Sequence, residues 1–314
     1  MEPQETSTIK VSAKKRKSTE NPIKKLIFSQ KLAPYFFLTP FFLVLLIFFL
    51  YPIIELFRMS FQHILIGQTE WVGFANYKQM MNHHFFTAVK NTFIYTFWII
   101  AILIPVPMAL ATLLNSKYLP FKNFFRSALF MPALVSVIVG GIFFSLMFGD
   151  TEKDFINSLL VQIGMEPQQW KLGAATGMFL MVSLNCWRMM GINVIYFLAG
   201  LQSIPNSLYE AAEIDGANTI QKFFRITVPM LKPVTLFVLI ISIFGGLRMF
   251  EESYVFWKNG SPNDIGLTIV GYVYQQSFDY NAMGLGAAVS VILLLLALVI
   301  GLFQLKHFGA FKED

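Results

Sequence analysis

Charge and cysteine are both scarce in this sequence. Only 13% of its 314 residues are charged, whereas 55% are hydrophobic. The core of a soluble protein of this length could not bury so much apolar surface. The mean hydropathy of +0.59 therefore favours a membrane protein. Cys186 is the only cysteine, so the chain can form no internal disulfide. We interpret Cys186 as a small apolar residue that fills space within the fourth span.

Motifs for nucleotide binding and for a catalytic metal are also missing. The sequence contains neither a G-x-x-x-x-G-K-[ST] phosphate loop nor an H-E-x-x-H zinc motif. His83 and His84 have no carboxylate or cysteine pattern around them, which favours ordinary loop histidines over a metal site. No apolar run offers a nucleophile with a base, or a pair of carboxylates. We therefore predict a chain that is not an enzyme and binds no cofactor or metal itself.

Six apolar runs are long enough to cross a bilayer, which takes about 20 residues. Backbone polar groups find no water in hydrocarbon, so each run is predicted to be a helix, and none alternates as barrel strands do. Pro105 and Pro107 interrupt the second run and predict a kink. The sequence thus predicts an all-α integral membrane protein. The six runs are Tyr35–Phe57, Thr92–Leu114, Ala128–Phe148, Gly173–Leu198, Val234–Met249 and Met283–Phe303.

Basic residues set the expected orientation, because Lys and Arg near span ends are retained in the cytoplasm. The tail 1–31 contains KKRKSTENPIKK, so we expect it to be flexible and cytoplasmic. It is expected to lie against anionic membrane lipid rather than nucleic acid. One membrane domain then covers 32–308, and six spans return 309–314 to the cytoplasm. The same topology puts the segment 201–233 on the cytoplasmic side.

That segment is a polar stretch in an otherwise apolar chain, LQSIPNSLYEAAEIDGANTIQKFFRITVPMLKP. It predicts two short helices around a glycine turn. Pro205 suits a first helical position, and Gly216 ends the first helix because the residue after a helix often takes positive φ. Asn218 or Thr219 can cap the second helix. A short helix with alanines beside a carboxylate can dock into a cleft on another protein.

The order Glu-Ala-Ala, two residues, Asp-Gly-Ala, then Phe223, Ile226, Pro229 and Pro233 resembles the coupling loop of permease subunits in binding-protein-dependent ABC importers. It is most similar to the carbohydrate-uptake, maltose-permease-like branch. WVGFANYKQMM, FKNFFRSALFMPALVSVIV and CWRMMGINVIYFLAGLQSIP extend the resemblance to nearly the whole chain outside the tail. It implies the ABC type I importer permease fold. The ATPase-coupling residues that it implies are Glu210, Ala211, Ala212, Asp215, Gly216, Ala217, Phe223 and Pro229.

The resemblance also implies an assembly in a bacterial cell membrane. Its other members would be a second homologous permease, two cytoplasmic ATPase subunits that bind ATP and Mg, and an extracytoplasmic sugar-binding protein. The implied function is uptake of a carbohydrate, an oligosaccharide in particular. One alternative is another ABC importer branch, for glycerol phosphate or a polyol. A second is an ion-driven transporter, but those commonly have inverted repeats and paired intramembrane acids, whereas Glu and Asp here are confined to loops and span ends.

Polar residues within the apolar runs suggest a substrate path, because charge in hydrocarbon usually faces a polar partner or water. Arg188 lies near the centre of the fourth span, where an Asn, Arg and Trp cluster can hydrogen-bond and stack on a sugar; Gly191 is a further possible lining residue. The alternative is a structural Arg188, tied to carbonyls or to another subunit. Small residues of the fifth span favour helix packing over substrate contact. The candidates are Asn185, Trp187, Arg188, Asn193, Ser242, Gly246 and Glu251.

Overall fold

A computed structural model describes residues 33–65, 68–116, 119–258 and 260–307. The predicted tail 1–31 and C-terminal segment 309–314 lie outside these residues. The chain divides into two compact units, Met1–Glu55 and Leu56–Asp314. The described part of the first unit is helical and apolar, and belongs to the candidate span Pro34–Ser60, which agrees with the first predicted span. It contains α1 (Ala33–Leu45), a π-helical turn (Leu46–Leu50) and the start of α2 (Tyr51–Ser60).

The second unit opens with a β-hairpin that the all-α prediction overlooked. Strands β1 (Gln62–Leu65) and β2 (Gln68–Trp71) pair antiparallel. The next element, α3 (Ala75–Met80), anchors the hairpin. Its buried Asn76 donates hydrogen bonds of 2.9 Å to the carbonyls of Ser60 and Gln62. The hairpin therefore depends on a side chain from outside its own strands.

The second span consists of α4 (His83–Leu103) and α5 (Pro105–Asn115). It begins at His83 rather than at the predicted Thr92, because Asn82 caps the helix by accepting a 3.0 Å bond from the Phe85 amide. The interruption predicted from the prolines is present at Ile104.

The third span is not the straight helix predicted at Ala128–Phe148. Helix α6 (Lys122–Phe130) and a 3-10 turn (Met131–Leu134) meet α7 (Val137–Met147) at 100°. Val135 and Ser136 are extended, and Ser136 caps α7 through the Val139 amide. The described residues thus hold five helices able to cross a membrane by length and composition, or six with this bent pair.

The remaining helices follow the predicted order. The fourth and sixth spans agree closely with α9 and α16, and the fifth continues past its predicted end, after a break at Arg248–Phe250, into α14. The elements are α8 (Phe155–Gln162), α9 (Ala174–Gln202), α10 (Asn206–Ile214), α11 (Thr219–Lys222), a π-helix (Phe223–Thr227), α12 (Val228–Met230), α13 (Lys232–Leu247), α14 (Glu251–Trp257), α15 (Ile269–Tyr274), a second π-helix (Gln275–Asp279) and α16 (Met283–His307).

Helix α9 lies at the centre of the second unit, where it packs against α4, α5, α6 and α13. Its apolar side chains enter two buried clusters, one with α5 and Leu231, the other with α4 and Met249. Gly191 lets α9 approach α6 closely, since a Cβ there would lie 2.0 Å from the Leu129 carbonyl oxygen. Gly191 is therefore a packing residue and not a lining residue.

The break in the second span leaves a carbonyl that α9 satisfies. Pro107 has no N–H, so the Leu103 carbonyl four residues earlier loses its helical partner. The buried Asn193 side chain donates to this oxygen at 3.4 Å. An unpaired carbonyl here would cost about 1–3 kcal/mol.

We predict that Asn193→Leu lowers the thermal stability of the purified protein, because it strands the Leu103 carbonyl. Pro107→Ala restores a backbone donor, so the double variant Asn193→Leu/Pro107→Ala should regain most of the loss, roughly 1–2 kcal/mol. Ile195→Leu, on an exposed face of the same helix, is the control. Equal melting temperatures for the single and double variants would contradict this account.

Candidate functional site

A cavity of ≈ 640 Å³ lies among α4, α9, α13 and α14. Its wall is polar on the α9 and α14 sides and apolar on the α4 side. Five of the predicted path residues line it together, although they come from three helices. They are Asn185, Arg188, Asn193, Ser242 and Glu251.

Two predicted path residues do not line this cavity. Trp187 turns toward α7, where its ring stacks on Phe143 with centroids 6.4 Å apart and contacts Phe144 at 5.7 Å. Gly246 faces α4, and a Cβ there would lie 2.4 Å from the Thr96 hydroxyl oxygen. Both residues serve helix packing, as the small residues of the fifth span had indicated for Gly246.

Glu252 is the functional candidate that sequence reasoning missed. It is 6% exposed, lines the cavity, and accepts a 2.9 Å hydrogen bond from the Asn185 amide. The Arg188 guanidinium lies 3.9 Å from the same carboxylate oxygen. Glu252 lies near the end of the fifth span, Lys232–Trp257, and is nevertheless buried, which the sequence pattern did not indicate. Two signals pointed to it: a buried Arg188 needs a counter-charge, and adjacent acids on a helix point in different directions.

Arg188 also has the structural role that was left open. Its Nε donates to the Val135 carbonyl at 3.2 Å, in the extended break of the third span. The Arg188 guanidinium thus donates to the Val135 carbonyl on one side and approaches the Glu252 carboxylate on the other. Asn185, Arg188 and Glu252 therefore form a polar clamp that joins α9 to α14 and to the break before α7.

The rest of the cavity wall suits a ligand rich in hydroxyls. Arg248 and Glu251 are exposed residues of opposite charge, and the Phe250 ring lies between them in sequence. Arg248 and Phe250 lie in the break after α13, and Glu251 is the first residue of α14. Within this break, the buried Thr268 hydroxyl donates to the Met249 carbonyl at 2.8 Å. The wall therefore offers hydrogen-bond donors, hydrogen-bond acceptors and an aromatic face, which are the groups with which proteins bind sugars.

The predicted coupling segment has the helix, turn and helix order that its sequence indicated. Helix α10 ends before Asp215, and Gly216 has φ of +75°. The Ala217 amide returns to the Ala212 carbonyl at 2.8 Å, which closes the helix end. Asn218 then starts α11 with a reciprocal capping box to Gln221, both bonds being 2.9 Å. Pro205 occupies the N-cap, one position before the predicted one.

The coupling residues divide into exposed and anchored ones. Glu210, Ala211, Asp215, Gly216 and Pro229 are exposed, whereas Ala212, Ala217 and Phe223 are half-buried. Phe223 packs, together with Tyr209 and Val228, against the cluster formed by α5 and α9. The Tyr209 and Thr227 hydroxyls are 2.9 Å apart, so a hydrogen bond joins α10 to the π-helix.

The coupling segment exposes several apolar side chains as well as Glu210. Ile214 is 88% exposed and Phe224 is 64% exposed, with Leu208 and Ile220 also facing outward. Lys222 donates to Glu213 at 2.7 Å, a pair internal to the segment. Exposed apolar side chains with carboxylates in the same segment are typical of a site that binds another protein.

Comparison with known proteins identifies the family. The family model described as binding-protein-dependent transport system inner membrane component matches residues 11–307. An arabinooligosaccharides transport system permease protein of Bacillus subtilis is 58% identical over 289 residues, 92% of each chain. Its counterpart in Halalkalibacterium halodurans is 52% identical over 285 residues, 91% of this chain and 90% of that one.

Among solved structures, a bacterial ABC transporter involved in the import of the acidic polysaccharide alginate has the same fold. One of its chains matches with a TM-score of 0.80 and 24% sequence identity, over 93% of this chain and 100% of that one. The family match and the highly identical relatives agree with it. This chain is a permease subunit that belongs to the inner membrane components of binding-protein-dependent transport systems.

Proposed function

We propose that this permease is one of two membrane subunits of an ATP-driven importer of arabinose oligosaccharides. The observation that supports this choice of substrate is the 58% and 52% sequence identity, over about nine tenths of the chain, to two arabinooligosaccharides transport system permeases. The cavity of ≈ 640 Å³ agrees with it in size, since small-ligand sites span about 300–1,000 Å³. Its polar and aromatic lining has the chemistry that a neutral sugar needs.

The proposed energy source is a pair of ATPase subunits that grip the coupling segment. Glu210 is exposed, and the same segment exposes apolar side chains, so Glu210 can pair with one basic group in a cleft while those apolar side chains lose their contact with water. The proposed topology puts this surface, and both termini, in the cytoplasm. ATP and Mg belong to the ATPase chains in this scheme, and a sugar-binding protein delivers substrate at the opposite side.

Helix α9 supplies a mechanical connection between that surface and the cavity. It is continuous from Ala174 to Gln202, so about 25 Å of helix separates Asn185 from its end at the coupling segment. Phe223 and Tyr209 attach the segment to the cluster that also holds the last turns of α9. Movement of the ATPase subunits would therefore tilt α9 and change the access to the cavity.

Charge reversal at Glu210 tests the coupling. We expect Glu210→Lys to reduce uptake of labelled arabinose oligosaccharides at least about tenfold, while the amount of protein in the membrane stays unchanged. Sugar-stimulated ATP hydrolysis should fall with it. Glu166→Lys makes the same charge change in an exposed loop outside the segment and serves as control. Wild-type uptake by an assembled Glu210→Lys variant would remove the proposed role.

Substitution of the two adjacent acids on α14 distinguishes a residue of the polar clamp from a residue that contacts the ligand. Glu252→Ala leaves Asn185 and Arg188 without their carboxylate, and is expected to destabilise the protein by roughly 2–3 kcal/mol. Glu251→Ala removes an exposed cavity group, so it should keep the melting temperature and change the apparent KM for sugar. Melting curves and initial uptake rates measure the two effects. Loss of stability in Glu251→Ala, or none in Glu252→Ala, would reverse this assignment.

A substrate panel tests the proposed cargo. Transporter reconstituted in vesicles should take up labelled arabinose oligosaccharides faster than maltose oligosaccharides, glycerol phosphate or a polyol. The measurement is the initial rate for each compound, with the matching sugar-binding protein present in excess. Preference for glycerol phosphate or a polyol would assign the chain to another importer branch, and ATP-independent uptake driven by an ion gradient would remove it from this mechanism.

A further inference from the structure

Two imidazoles and a carboxylate from distant parts of the sequence meet at the start of α4. His83 and His84 are the first two residues of this helix, and Asp264 belongs to the loop between α14 and α15. The His84 Nδ1 atom lies 2.5 Å from an Asp264 carboxylate oxygen. Ligand atoms of all three side chains lie within 4.8 Å of one another. The sequence around the histidines contains no carboxylate, so this juxtaposition is a product of the fold.

The backbone that holds Asp264 is fixed from the same helix. The Asn91 side chain, two turns along α4, donates to the Asp264 carbonyl at 2.8 Å and to the Leu267 carbonyl at 3.0 Å. Beyond these bonds, the Thr92 hydroxyl accepts from the Ile269 amide at 3.0 Å. The backbone of Asp264 is therefore fixed near the histidine pair by hydrogen bonds that leave the side chains of all three candidate ligands free of them.

The chemistry of the three side chains selects a class of ion. Imidazole nitrogen suits zinc, cobalt, nickel and copper, and two histidines with one carboxylate are a known set of zinc ligands, with water in the remaining position. Zinc bonds of about 2.0–2.2 Å require ligand atoms closer together than 4.8 Å. His83 is exposed, so rotation of its side chain can bring its ring nitrogen inward.

We propose that His83, His84 and Asp264 bind a divalent transition-metal ion, zinc in particular. The bound ion joins the loop between α14 and α15 to the start of α4. This loop is joined to α14, which carries the cavity residues Glu251 and Glu252, because the Ser253 hydroxyl donates to the Gly266 carbonyl. The metal therefore restrains one wall of the cavity from outside it. The proposal depends on the geometry of these residues and not on the identity of the transported sugar.

The test uses the purified transporter that contains this full chain, carrying a tag without histidine and stripped of metal with a chelator. Zn²⁺ binding is titrated, and Co²⁺ absorption reports the coordination. Wild type should hold about one more tightly bound ion per chain than His84→Ala or Asp264→Asn, and each variant should bind at this site at least about 100-fold more weakly. Zinc should also raise the melting temperature of wild type but not of these variants.

His63→Ala is the matched control, because His63 is an exposed histidine on β1 outside the cluster. It should bind zinc as wild type does. His83→Ala gives a second variant at an exposed helix end, should His84→Ala fail to assemble. Equal zinc content in wild type and the cluster variants would overturn the proposal, and so would a wild-type protein that binds no zinc. Either result would leave the His84 and Asp264 contact as a simple ion pair.

Discussion

The constraint on which this structure depends is that backbone polar groups inside a bilayer need partners from the protein. Three of the spans are interrupted in the part of the chain that the structure describes. At each interruption, a side chain from another element donates a hydrogen bond to a backbone carbonyl. Asn193 bonds to Leu103, Arg188 to Val135, and Thr268 to Met249. Two of the three donors belong to α9. The central helix therefore holds the broken spans together by hydrogen bonds as well as by apolar packing.

Two of these interruptions border the cavity. Leu103 before the break in the second span, and Arg248 and Phe250 in the break of the fifth, line it together with the donors Asn193 and Arg188. Asn193 and Arg188 accordingly have two roles, as backbone partners and as cavity residues. Glu252 completes the arrangement, because its carboxylate accepts a hydrogen bond from Asn185 and lies 3.9 Å from the Arg188 guanidinium. A polar path through hydrocarbon and a stable fold thus depend on one small group of side chains.

Much of this architecture is predictable from sequence, and the exceptions have a common physical cause. Five spans follow from apolar length alone, and the coupling segment follows from Gly216 and its flanking caps. The 100° bend before α7 was not predicted, since the extended Val135 is stabilised by Arg188 from a distant helix. Trp187 was assigned to the path although it packs against Phe143. Glu252 was missed because its position depends on the contact of α14 with Asn185 and Arg188 of α9. Local pattern predicts local structure, whereas these features arise from contacts between elements.

The close approach at Gly191 has a mechanical consequence. With no side chain between Gly191 and the Leu129 carbonyl, α9 contacts the backbone of α6 at this point, and a tilt of α9 that keeps this contact would pivot here. About 16 Å of helix extends from Gly191 to Gln202 on one side and about 9 Å from Gly191 to Asn185 on the other. A sideways displacement of the segment from Gly191 to Gln202 would therefore move the segment from Gly191 to Asn185 in the opposite direction, by a smaller distance and with greater force.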